Sequence, residues 1–80
     1  MLDLREVDRC LHLAMELKGL TLEDIVNEIS LVIQPPSLVR AIAEKSVAAI
    51  ITLMAVNHPQ VDIERLRRLW IGSELLCQRD

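Results

Sequence analysis

Apolar and polar positions along this chain recur with helical spacing. At 100° per residue, Leu4, Val7, Cys10, Leu11, Ala14, Met15 and Leu17 fall on one broad face. Arg5, Asp8, Arg9, His12 and Glu16 fall on the other. Asp3-Leu-Arg-Glu6 has the form of a capping box, in which an Asp oxygen accepts an amide hydrogen and Glu6 reaches back. Gly19 supplies the left-handed residue on which helices commonly end. The pattern predicts an amphipathic first helix ending at Lys18.

Thr21-Leu-Glu-Asp24 opens a second helix, with acids in the first turn where they complement the helix dipole. Its apolar stripe is Leu22, Ile25, Val26, Ile29, Val32 and Ile33. Glu23, Asp24, Asn27 and Glu28 face away and carry no compensating base. Gln34-Pro35-Pro36 is expected to end it, because a residue before proline avoids helical geometry. A strand over Ser30–Ile33 is the alternative, but it has no evident pairing partner.

Ser37 is then expected to cap the longest helix, Leu38 to Val56. Between Val47 and Val56 the only polar residue is Thr52. The run is shorter than the roughly 20 apolar residues that span a bilayer, and a helix that is apolar all round must be buried on every side. Leu38, Val39, Ile42, Ile50, Leu53, Met54 and Val56 make a bulky half. Opposite them Ala41, Ala48 and Ala55 recur every seven residues, with Ile51 beside them. Small side chains in such a row let another helix approach closely. Ala41, Ala48, Ile51 and Ala55 are therefore the expected dimer or partner interface.

Asn57-His-Pro-Gln60 reads as a loop, and Asp62 as the cap of a final helix through Ile63, Leu66, Leu69 and Trp70. Gly72-Ser73 is a possible break, after which Leu75, Leu76 and Cys77 continue the apolar thread. There is no internal repeat, low-complexity tract or linker. Residues 1–80 are expected to form a single all-α domain. Its predicted architecture is a small bundle of four to five short helices around a long apolar central helix (38–56), assembled as a dimer.

Composition supports the helical reading. Hydrophobic residues make up 51 % of the chain, nearly all aliphatic, with no Phe or Tyr and one Trp; two Gly and three Pro are few for a many-turned β protein. A domain of this size buries only about 60 % of the surface its unfolded chain exposes, so the apolar excess points to self-association or a protein partner. A net charge of −3 argues against a general nucleic-acid or anionic-membrane binder. Two cysteines are too few for a disulfide framework and too far apart in sequence for a metal pair. The N-terminus lacks the basic and apolar regions of a signal peptide. A cytoplasmic protein with both thiols reduced is expected.

Candidate chemistry is sparse. Arg65, Arg67 and Arg68 with Trp70 form the one basic cluster, either a solvated face with Trp70 in the core or a partner-binding rim; Arg and Trp are enriched at interface hot spots. Asp8, His12 and Glu16 make a carboxylate–His–carboxylate row that reads as surface ion pairs rather than a metal site. No nucleophile sits beside a positioned base, and no glycine-rich loop could cradle phosphate. Neither a catalytic residue, a metal nor a cofactor is expected.

Two partial resemblances follow from particular residues. Leu20-Thr-Leu-Glu-Asp-Ile-Val-Asn-Glu-Ile resembles the first half of a repressor-type helix-turn-helix, which would imply a transcriptional regulator. Arg40 and Lys45 are the only bases in the helix expected to follow. The stretch from Gly19 to Leu38 is similar to acyl carrier proteins. That resemblance would imply a phosphopantetheine attachment at Ser37, although Pro36 stands where that family has Asp. The leading expectation is a small non-enzymatic protein-binding module, a regulator, adaptor or inhibitor, acting through an aliphatic helix face as a homodimer.

Overall fold

The computed structural model describes residues 3–61 and 63–77. Among them it contains five helices and no strand: α1 (Leu4–Lys18), α2 (Leu22–Ile29), α3 (Pro36–Lys45), α4 (Val47–Asn57) and α5 (Glu64–Cys77). The all-α expectation holds. The expected cap Asp62 lies outside the described residues.

α1 starts and stops, and α2 starts, where local chemistry says they should. Asp3 accepts from the Arg5 amide at 3.3 Å, while Glu6 lies on Arg9 instead of reaching back. Gly19 adopts φ 69°, so its amide and that of Leu20 reach the carbonyls of Glu16 and Met15. At α2 both halves of the Thr21–Asp24 box are made: the Asp24 amide donates to Thr21 Oγ1 at 3.2 Å, and the Thr21 amide donates to Asp24 Oδ2 at 2.8 Å. The Thr21 amide foremost, and then the Thr21 hydroxyl, which also donates to Asp24 Oδ2 at 3.0 Å, hold the Asp24 carboxyl below its ordinary pKa.

α2 ends at Ile29, short of the expected stop. Ser30–Val32 form tight turns instead, with the Val32 and Ile33 amides both donating to the Ile29 carbonyl. β-Branched residues approaching a proline make helix continuation costly there. Pro35 is the N-cap of α3 and Pro36 its first residue, so Ser37 stands inside the helix rather than capping it.

The long central helix expected over 38–56 is two helices. Ser46, with φ −163° and ψ 115°, is at once the C-cap of α3 and the N-cap of α4. Its Oγ accepts from the Ala49 amide at 3.1 Å. The decisive partner comes from α1: Asp8 Oδ1 accepts from the amides of Val47 and Ala48, at 2.7 and 3.2 Å, and from Ser46 Oγ. A carboxylate at a helix N-terminus satisfies orphan donors and favours the dipole. The break lets each half turn its own apolar residues inward, Val39 and Ala43 from α3, and Val47, Ala48, Ile50, Ile51 and Met54 from α4. They join Leu11, Ala14, Met15, Ile25, Val26, Ile29, Leu66 and Leu69 in one core.

α5 runs unbroken through Gly72-Ser73. Ser73 is buried and donates from Oγ to the Trp70 carbonyl at 2.7 Å. Packing of α5 on α1 is the most extensive helix contact, and Cys10 and Cys77 are disulfide-bonded across it, with Cα atoms 5.9 Å apart. The expected reduced thiols are thus corrected. Two helices lying side by side bring together residues that sequence spacing keeps far apart. The acidic face of α2 is also compensated, from other helices: Glu23 pairs with Arg40 of α3, and Glu28 with Arg65 of α5 at 3.0 Å.

Candidate functional site: a groove between α4 and α5

α4 is apolar on nearly every side, so burying its first turns leaves apolar residues on its last ones. Ile51 and Met54 are buried, whereas Leu53, Ala55 and Val56 are exposed. The chain then turns: the His58 amide donates to the Met54 carbonyl at 2.8 Å, and the Val61 amide donates to the His58 carbonyl at 3.1 Å. This turn returns the chain into α5 without closing α5 onto α4. Between the two helices lies a groove of about 450 Å³. α4 contributes Ile51, Thr52, Met54 and Ala55. The connection contributes His58, Pro59, Val61 and Ile63, and α5 contributes Leu66, Arg67 and Trp70. Its volume is in the range of small-ligand and peptide clefts.

The indole of Trp70 is only partly buried, and its Nε1–H donates to Glu74 Oε1 at 2.6 Å. That bond satisfies the polar end of the ring on its own helix and leaves the ring as part of the groove wall. No carboxylate is among the described lining residues. Arg67 is at the groove and is itself engaged within the chain.

The residues expected at the interfaces are redistributed. Ile51 and Ala55 from the alanine row meet Arg67 and Trp70 from the basic cluster at this groove. Ala41 is exposed on α3, on a different helix from the rest, and Ala48 is completely buried in the chain's own core. The break at Ser46 removes the continuous seven-residue row. Arg65 is tied to Glu28, and Arg68 pairs with Glu64 at 2.7 Å. Met54, His58, Val61 and Leu66 are groove residues that the sequence pattern does not single out. Met54 and Leu66 sit one turn from Ile51 and Trp70, the spacing that could have flagged them.

His12 Nε2 lies 3.5 Å from Asp8 Oδ2, the carboxylate that caps α4. Among the described residues no cluster of His, Cys, Asp or Glu is grouped to hold a metal, and no helix is long and apolar enough to cross a membrane. Ser37 is exposed in the first turn of α3. Six residues separate α2 from α3, longer than the turn of a helix-turn-helix, and the Arg40 guanidinium is held by Glu23. No model of a known protein family, no curated protein and no solved structure matches this chain.

Proposed function

We propose that this chain is a small non-enzymatic protein-binding module, a regulator, adaptor or inhibitor, that seats the apolar face of a partner protein's helix between α4 and α5. The observation that carries the reading is the groove itself. Two helices flank an open cleft whose lining is mostly apolar, with Trp70 in one wall and Thr52, His58 and Arg67 as its polar members, a geometry suited to helix-in-groove recognition. Trp70 is the residue type most often found as an interface anchor.

Self-association is part of the same proposal. Among the described residues, ten large aliphatic side chains are more than a third exposed, including Leu17, Val56 and Leu75 at 76, 72 and 63 %. A 9.1 kDa chain with that much apolar surface gains by pairing with a second copy. The compartment follows redox state: the Cys10–Cys77 bond fits an oxidising environment, and a cytoplasmic site would leave both thiols reduced.

The test is affinity capture from the native cell extract with wild type and Ala55→Arg side by side. Ala55 is exposed, so the arginine blocks the groove without entering the core. A partner held by wild type and lost with Ala55→Arg supports the reading, and equal retention overturns it. Light scattering on the purified chain addresses the dimer, for which a monomeric mass at micromolar concentration is the contrary result.

A further inference from the structure

We propose that the helix received between α4 and α5 is an acid-flanked aliphatic one, whose apolar face covers Trp70 while a carboxylate beside that face pairs with Arg67. The inference rests on the groove reading above and adds to it the chemistry of the partner.

The molecule already makes one such contact within itself. α2 buries Ile25, Val26 and Ile29 and carries Glu23, Asp24 and Glu28 on its other side. Its aliphatic face joins the shared core, and two of its acids meet arginines from other helices. Glu28 lies 3.0 Å from Arg65 Nε on α5, and Glu23 is held by Arg40 on α3. Arg67 stands two residues beyond Arg65, which on a helix is about 200° around the axis. α5 thus presents one arginine to α2 and a second at the groove on its other flank. Ile51, Met54 and Leu66 line the groove and belong to the same core that holds α2. An incoming aliphatic face would therefore extend that core.

The polar chemistry of the groove favours an anion. Thr52, His58 and Arg67 are the polar side chains of the described lining, and none is a carboxylate. Glu74, which accepts from Trp70 Nε1, is not among the lining residues. At the end of α4 the carbonyls of Leu53 and Met54 already accept, from Asn57 Nδ2 at 2.9 Å and from the His58 amide at 2.8 Å. Arg67 has an interaction within the chain as well, but a guanidinium keeps its charge and has five donors to share. A carboxylate on the partner complements this cation, whereas a lysine there meets no counter-charge in the described lining.

The chain has one Trp and no Tyr or Phe, so its fluorescence reports this groove. The probes are two synthetic peptides of about 18 residues, long enough to hold a helix. They share one leucine stripe and lack aromatic residues; glutamates flank the stripe in one and lysines in the other. At low salt the glutamate peptide is expected to shift Trp70 emission with roughly tenfold tighter affinity. The chain's net charge of −3 favours the lysine peptide, so that order reports the groove and not the overall field. Added salt should narrow the difference. Arg67→Gln, at an exposed residue, should remove it while both peptides still bind. Equal affinities, or tighter lysine binding, overturn the acid preference and leave the groove reading standing. A glutamate preference that survives Arg67→Gln overturns the role of Arg67. Should that variant fail to fold, a wild-type preference indifferent to salt does the same. No response of Trp70 to either peptide overturns the groove and this inference together.

Discussion

Asp8 on α1 places its Oδ1 2.7 Å from the amide nitrogen of Val47, 39 residues later, and so caps a helix to which it does not belong. By the helical wheel Asp8 is one more charged residue on a polar face. In the fold it satisfies the first amides of α4 and holds the joint at Ser46.

Asp8→Ala is therefore expected to destabilise the domain by about 1–2 kcal/mol, the range of a lost N-cap. At about 4–8 °C per kcal/mol for a domain of this size, thermal melts resolve it readily. Asp8→Asn keeps an acceptor oxygen and is expected to cost less. An alanine variant that melts with wild type would show that Ser46 alone sets the break.

A second prediction concerns pH. The Thr21 bonds lower the folded-state pKa of Asp24 beneath the ordinary aspartate value of 3.8. A depressed carboxyl stabilises the fold above its unfolded value and loses that contribution as pH falls through the folded one. Asp24→Asn is expected to melt below wild type at neutral pH, the gap closing in acid as wild-type Asp24 becomes protonated. A gap that persists unchanged in strong acid counts against the capping box as its source.

The two glycines are expected to respond in opposite directions. At Gly72 a new Cβ would come no nearer than 3.7 Å to Lys18 Cε, an ordinary contact. Gly72→Ala should stabilise α5 by about 0.5–1 kcal/mol. Gly19 has open space around it but a φ of 69°, so Gly19→Ala is expected to destabilise. Denaturant midpoints compare the two directly.

The alanine row offers a fourth test. Ala48→Leu adds bulk at a completely buried position and should cost about 1–3 kcal/mol. Ala41→Leu, on the exposed side of α3, should leave stability within about 0.5 kcal/mol of wild type. Equal melting of the two variants would mean that the core around Ala48 yields.

The candidate site was half legible. Ile51, Ala55, Arg67 and Trp70 stand out in the sequence as two separate patches, because bulk, smallness and charge are visible residue by residue. Their meeting in one groove depends on how the packed chain places α5 beside α4. Met54 and Leu66 look like plain core residues until the groove exposes their edge.

Local chemistry alone determined the class of the fold, the Gly19 stop and the Thr21–Asp24 start. The bonds that decide these involve residues within five positions of each other and form in any helical context. The break at Ser46, the Cys10–Cys77 bond and the Glu28–Arg65 pair belong to the tertiary structure. Along Leu38–Val56, a continuous helix and a broken one satisfy the local pattern almost equally well. A carboxylate delivered from α1 tips that balance, and only the packed chain brings it there.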